Sequence, residues 1–294
     1  MRVAVVGVGR MGGAMAGRVA AAGHDVTVWN RSEGRAQQVA EATSAVVAAS
    51  AREAAEGAEV CLVSLADDPA VLEVYAGEDG LVAGLRADTV VCDTSTVAPG
   101  TAREAGAMVA AAGATFLDTP VSGSVPLVEA GTLTVLVGGD SRALDRARPV
   151  LETFSAKVFH LGGVGAGATM KLVVNSVVAA LNVALAEALV LAERAGIERE
   201  QAYDVLQSSA AGAPYVGYKR AAFLDPDSSP VAFTLGLVAK DQALIDSLAQ
   251  EVSARMELGD AARALVADSV KAGLGDRDMS AIAEYIRAGA VRRT

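Results

Sequence analysis

Lys171 stands among Met170, Leu172, Val173 and Val174, inside a stretch that reads as one long helix. Asn175 follows four residues later and Asn182 seven beyond that, so the three share one helix face. An ammonium group in such a setting has two uses. It can snorkel its charge to the surface along its flexible stem, or it can face a pocket. In a pocket, desolvation lowers the lysine pKa, and an amine that titrates near neutrality can accept or donate a proton. Spacing alone leaves both uses open.

A second group of residues supplies a reason for proton chemistry. Gly7-Val8-Gly9-Arg10-Met11-Gly12 follows the apolar run Arg2–Val6 and opens a helix pattern over residues 11–22, which Gly23 closes. The next strand is Asp25–Trp29. In that strand–turn–helix–strand order the three glycines acquire distinct jobs. Gly7 permits the tight turn, Gly9 lets the backbone approach a pyrophosphate, and Gly12 allows close helix–strand packing. The helix N-terminus adds amide donors and a positive dipole end for the phosphates. These features predict a dinucleotide cofactor, and hydride transfer to or from a carbonyl needs a proton partner such as Lys171. The end of the second strand selects the cofactor. An acidic residue usually meets the ribose hydroxyls of NAD there, but this chain has Asn30-Arg31-Ser32, with Arg35 close behind. No carboxylate repels a 2′-phosphate, and Arg31 offers a planar fork for it. The expectation is NADP (NADPH), preferred over NAD.

The elements that must position these residues alternate. Helix patterns at 33–43, 50–57, 98–112 and 141–153 interleave with strand patterns at 45–48, 60–65, 89–92, 115–118, 133–137 and 158–160. The run 60–65 is apolar on both faces, as in a buried parallel strand. Ligands of such sheets bind at the C-terminal ends of the strands, which brings in Leu65 and Ala66 after one strand and Asp93-Thr94-Ser95-Thr96 after another. The hydroxyls of that second loop can touch the nicotinamide half of the cofactor or simply cap the next helix. The alternation predicts an α/β, Rossmann-type, doubly wound and mostly parallel sheet. It ends near Leu161, so residues 1–161 are expected to form the NADP-binding domain. Residues 162–294 are expected to form an all-helical domain built on a long interdomain helix over 168–195, followed by helices at 198–209, 215–223, 235–250, 256–272 and 280–288.

Composition narrows the class further. At 294 residues the chain can hold two domains, and 52% hydrophobic content with 4% aromatics implies a core of Val, Leu and Ala. A net charge of −10 argues against a nucleic-acid partner. Cys61 and Cys92 both fall in strand-like runs and read as small buried hydrophobes; with no disulfide framework and no secretion signal, a cytoplasmic location fits. The apolar run 172–192 approaches the length of a membrane span, but Asn175, Ser176, Asn182 and Glu187 interrupt it. A buried helix is the better expectation. His24 and His160 have no partners at ligand spacing, so no metal site is expected.

Four motifs in order give the chain an end-to-end resemblance. Gly7–Gly12 continuing through Met15-Ala16 resembles the cofactor signature of the β-hydroxyacid dehydrogenase family, which includes 3-hydroxyisobutyrate dehydrogenases and NADPH-dependent semialdehyde reductases. Asp118-Thr119-Pro120-Val121-Ser122-Gly123 with Gly131-Thr132-Leu133 resembles its substrate-binding segment. Gly162, Gly165, Gly167, Lys171 and Asn175 resemble its catalytic segment, and Phe233 with Lys240-Asp241 the segment that closes over cofactor and substrate. The resemblance implies hydride transfer between NADP(H) and a β-hydroxyacid or its semialdehyde, with Lys171 as general acid/base and Asn175 holding the substrate. It further implies that Ser122 and Gly123, with Ser124 beside them, bind a carboxylate. Thr96 and Lys240 would contact the cofactor, Phe233 would lie against the nicotinamide region, and a homodimer, or a tetramer of such dimers, would form through the long helix. The chain departs from the family pattern after Gly123, where Ser124-Val125-Pro126-Leu127-Val128 is bulkier and stiffer than usual. Two alternatives share the architecture. Imine reductases usually lack the lysine, and a non-catalytic dinucleotide-binding module has no reason to keep Lys171 and Asn175 together.

Overall fold

The computed structural model describes residues 1–289, and its contacts divide the chain into two compact units, Met1–Leu172 and Val173–Thr294. In the first unit, strands and helices alternate as the apolar pattern requires: β1 (Arg2–Val6), α1 (Arg10–Ala21), β2 (Asp25–Trp29), α2 (Glu33–Thr43), β3 (Val46–Val47), α3 (Ala51–Ala55) and β4 (Val60–Val63). Then come α4 (Asp68–Tyr75), β5 (Val90–Asp93), α5 (Pro99–Ala111), β6 (Thr115–Asp118), β7 (Val121–Ser122), α6 (Val125–Glu129), β8 (Leu133–Gly139), α7 (Ser141–Leu151) and β9 (Ser155–His160). Among the described residues the sheet has nine strands in the order β3-β2-β1-β4-β5-β6-β8-β7, with β9 on β8. Neighbours from β3 to β6 are parallel. The chain then reverses, and β8 runs antiparallel to both β6 and β7.

Both faces of this sheet are covered, which explains its continuous apolar strands. Successive side chains point to opposite faces, so Val3, Val5, Val60 and Leu62 join one core while Ala4, Val6, Cys61 and Val63 join the other. Helices α1 and α7 seal the first face through Met15, Val19, Leu144 and Val150. Helix α5 seals the second through Ala102, Ala105 and Val109. The expected order of elements holds, with three additions. Asp67 caps α4 by accepting from the Ala70 N–H at 2.9 Å, and Pro69 lies in its first turn, so a stretch that reads as a loop begins a helix instead. Strand β7 and helix α6 occupy a segment whose Pro126 and glycines disguise it; Val128 of α6 is fully buried in the first core.

Helix α8 (Ala166–Arg194) begins in the first unit and forms the core helix of the second. Its start depends on Gly167, because an added Cβ would lie 2.4 Å from the Leu136 carbonyl oxygen and 2.7 Å from that of Asp118. It is long and apolar enough to cross a membrane, yet Ala179, Val183, Ala186 and Leu189 are buried in the helical core. Asn182 is fully buried there and satisfied: its Nδ2 donates to the Met279 carbonyl at 3.0 Å, and its Oδ1 accepts from the Tyr215 hydroxyl at 2.6 Å.

The second unit continues with α9 (Arg199–Ser208), α10 (Pro214–Leu224), α11 (Leu235–Glu251), α12 (Glu257–Ser269) and α13 (Ile282–Gly289). The expected helix over 256–272 stops early, in a wide turn Val270–Leu274 where Gly273 takes φ +91°. A buried ion pair organises the far side of that turn. Lys219 Nζ donates to both carboxylate oxygens of Asp278, at 2.7 and 2.8 Å, and both side chains are almost wholly buried. Asp278 also accepts from the backbone N–H groups of Ala232 (3.0 Å), Phe233 (3.4 Å) and Ser280 (3.0 Å). Burial alone would raise the Asp278 pKa, but the Lys219 ammonium and these donors hold it below the usual carboxylate range. Removing one partner strands the other charge, at a cost of about 3–5 kcal/mol. Lys219→Met is therefore expected to lose roughly that much unfolding free energy in urea titrations. Because Asp278 is depressed on folding, its contribution is complete above about pH 4, the ordinary carboxylate value, and fades as acid carries the pH through the lower folded value. A wild-type protein no more acid-sensitive than Asp278→Asn would contradict this.

Candidate active site

The parallel strands end in one row. Trp29, Val6, Val63, Asp93 and Asp118 are register partners across β2, β1, β4, β5 and β6. The next residue of each strand therefore emerges along a single edge: Asn30, Gly7, Ser64, Thr94 and Thr119. Strand order reverses on either side of β1, which makes this edge the crevice that such sheets offer to ligands.

At β1 the chain turns sharply through Gly7, with φ +88°. Gly12 then packs so closely that a Cβ there would lie 2.0 Å from the Gly7 carbonyl oxygen. Gly9, at the N-cap of α1, faces open space. Arg10 is exposed and Met11 half-buried at the start of that helix. The residues after β2 hold this turn in place. Asn30 Oδ1 accepts from the Val8 N–H at 3.1 Å, while its Nδ2 donates to the Ser32 carbonyl at 3.2 Å. Arg35 Nε donates to the Val8 carbonyl at 3.1 Å. The backbone of Val8 is thus clasped on both sides, a role for Asn30 and Arg35 that spacing did not disclose. Arg31 and Ser32 are exposed at the same end of β2.

After β4, the Leu65 N–H donates to Ser95 Oγ at 2.9 Å, so the loop that carries Leu65 and Ala66 lies beside the loop that carries Ser95 and Thr96. Ala66 is exposed and Thr96 half-buried. After β6, Val121–Ser122 pairs with β8, with Ser122 opposite Thr134, and Gly123 and Ser124 lead into α6. Asp118, at the end of β6, does more than end a strand. Its two carboxylate oxygens accept from the backbone N–H groups of Gly165 at 2.8 Å and Ala168 at 2.7 Å, across the first turn of α8. Asp118 is buried, and negative charge at a helix N-terminus is favourable. Lys171, half-buried, stands three residues beyond this anchor. The Asp118 tether joins residues 47 and 50 apart in sequence, and only strand register could have revealed it.

In the second unit, Asn175 Nδ2 donates to Asp241 Oδ2 at 2.6 Å, and Lys240 Nζ lies 2.9 Å from Asp241 Oδ1. Asp241 is buried at 3% exposure, so it fixes the orientation of the Asn175 carboxamide. Phe233 packs partly against the helical core, and its backbone pairs with Met279 through a 2.8 Å bond from the Met279 N–H. The structure thus gathers the predicted residues into two groups. Gly7–Gly12, Asn30–Ser32, Leu65, Ala66, Thr96 and Ser122–Ser124 belong to the first unit, with Lys171 on its tethered helix end. Asn175, Lys240 and Phe233 belong to the second, with Asp241 as an unforeseen organiser.

Comparison with known proteins also matches the chain in two parts. Residues 2–162 match the family model for the NAD-binding domain of 6-phosphogluconate dehydrogenase, and residues 165–286 match that for the NAD-binding domain of NADP-dependent 3-hydroxyisobutyrate dehydrogenase. The 3-hydroxyisobutyrate dehydrogenase of Pseudomonas aeruginosa is 37% identical over 97% of this chain and 98% of its own. The NAD-dependent L-serine dehydrogenase of the same organism is 34% identical over 96% of each. The solved structure of Mycobacterium tuberculosis 3-hydroxyisobutyrate dehydrogenase with L-serine superposes with a TM-score of 0.85 at 32% identity, covering 97% of this chain and 99% of that one. With its glycine turn at the sheet's switch point and its helical second unit, the chain belongs to the β-hydroxyacid dehydrogenase family of NAD(P)-dependent oxidoreductases, the family of 3-hydroxyisobutyrate dehydrogenase.

Proposed function

We propose that this chain transfers a hydride between NADP(H) and a β-hydroxyacid or its semialdehyde, with Lys171 moving the proton at the substrate oxygen. The observation that carries the proposal is Lys171 on a helix end bound by Asp118 to the same strand-end row that holds the glycine turn. Gly9 faces open space at the N-terminus of α1, which fits a pyrophosphate there. Arg31 would meet the 2′-phosphate. Leu65, Ala66 and Thr96 would line the cofactor's other half, and Phe233 and Lys240 would be further cofactor contacts. When bound, the nicotinamide supplies or accepts the hydride. Ser122 and Gly123, with Ser124, would receive a substrate carboxylate. Asn175, its carboxamide held by Asp241, would orient the substrate's hydroxyl beside Lys171. The names of the relatives support a small hydroxyacid such as 3-hydroxyisobutyrate or L-serine.

General acid/base groups contribute about 10²–10⁴-fold. Lys171→Ala should lower kcat by that much on a panel of semialdehydes and hydroxyacids, with nucleotide affinity little changed; undiminished turnover would dismiss the proton role. Arg31→Asp should shift the NADPH-to-NADH preference by roughly 10- to 100-fold, the value of one charge-assisted contact. Equal use of both cofactors before and after would refute the phosphate fork. We also propose a homodimer through α8, whose Val177 and Leu191 are 64% and 71% exposed despite their apolar character. Val177→Glu combined with Leu191→Glu should yield monomers in sedimentation equilibrium, and a wild type that is already monomeric would end that reading.

A further inference from the structure

Two loops leave the strand-end row after β4 and β5, and an unusual amount of buried polarity joins them. Asp93 closes β5 with only 4% exposure. Its Oδ2 accepts from the hydroxyl of Tyr75 at 2.8 Å, and Tyr75 is fully buried at the end of α4. Its Oδ1 accepts from the Ser95 N–H at 2.8 Å, and Ser95 Oγ in turn accepts from the Leu65 N–H at 2.9 Å. Next to this chain, the Thr94 hydroxyl donates to the Val63 carbonyl at 2.8 Å. A second carboxylate closes the far end of the same pair of loops. Asp68 Oδ1 accepts from the Ala98 N–H at 2.9 Å and from the Thr101 hydroxyl at 2.6 Å. The loops 64–68 and 93–98 are therefore bolted together at both ends, by side chains 30 or more positions apart in sequence.

This arrangement costs more than packing two loops requires. Burial pushes the Asp93 carboxyl above its ordinary range despite the Ser95 and Tyr75 donors that favour its charge, and Asp118 nearby adds repulsion. A well-packed apolar contact would hold two loops with less desolvation. What polar bolts provide, and grease does not, is fixed backbone direction: the Leu65 N–H and the turn at Ser95 are each aimed by a specific acceptor. The faces left outward are Ala66, which is exposed, and Thr96, which is half-buried. A dinucleotide whose pyrophosphate lies at the β1 turn and whose adenosine half lies toward β2 must extend its other half over β4 and β5.

We propose that Asp93, acting through Tyr75 and Ser95 and assisted by Asp68, is a positioning residue that preorganises the two loops as one rigid platform for the nicotinamide-ribose half of the cofactor. This rests on the reading of the strand-end row as the nucleotide site. The platform's function is to remove the ordering cost that two free loops would impose on binding, and its effect is confined to one half of the cofactor. A role in general stability would act on both halves alike.

Calorimetric titration of the full chain with whole and truncated nucleotides separates these possibilities. The pairs are NADPH against 2′-phospho-ADP and NADH against ADP, the second of each pair lacking the nicotinamide and its ribose. Ser95→Ala and Asp93→Ala should weaken the whole nucleotides by about tenfold or more and leave the truncated ones unchanged. Asp93→Asn, which keeps an oxygen for the Ser95 N–H, should restore much of the loss. If Asp93→Ala does not fold, Tyr75→Phe and Ser95→Ala carry the test, since each removes a single hydroxyl. Equal weakening of whole and truncated nucleotides, or no weakening at all, overturns the platform. A wild-type chain that binds neither pair, or both members of each pair equally, instead overturns the underlying placement of the nucleotide, and does so before any variant is made.

Discussion

One buried carboxylate sets the geometry on which this chain depends. Asp118 completes β6 inside the sheet and spends both oxygens on the backbone of the first turn of α8. Capping a helix start in this way is worth about 1 kcal/mol as stability, a modest sum for a chain of this size. Its geometric effect is larger. The first turn of α8, which follows a glycine-rich leader, is registered to the strand ends. Lys171 inherits that register one turn later. The Lys171 amine, for which proton transfer is proposed, thus sits near a helix start anchored to the sheet, and Gly167 makes the close approach possible.

The second unit repeats the device with different parts. Asp278 collects the N–H groups of Ala232, Phe233 and Ser280 and is neutralised by Lys219, which fixes the segment that starts α11. Helix α11 then carries Lys240 and Asp241, and Asp241 orients Asn175. In both units a buried acidic side chain aligns the backbone around it. Buried carboxylates of this kind are costly when mispaired, so each has to find nearly all of its partners at once.

Much of this architecture was legible in the sequence, because helix and strand periods and glycine spacing are local signals. The turn Gly7–Gly12, the strands around it and the long helix under Lys171 all follow from residues a few positions apart. What remained hidden was long-range. Asn30 is expected at the cofactor from its place after the second strand, and its carboxamide also clasps Val8. Asp241 looked like a neighbour of Lys240, yet it holds Asn175, 66 residues away. The short helix at Val125–Glu129 was masked by Pro126, which reads as a loop but sits comfortably in a first helical turn. In each case a polar or punctuating residue has several local uses, and only tertiary register chooses among them.

Cys61 and Cys92 occupy adjacent central strands, with Cys92 opposite Leu62, and neither is exposed. Burial pushes the Cys61 thiol up to about 12 and raises Cys92 as well. Since the thiolate is the reactive form, both sulfurs are held unreactive while the faces of the sheet stay covered. Cys61 lies in the core on one face of the sheet and Cys92 in the core on the other, so each thiol gains reactivity only where the packing over its own face opens.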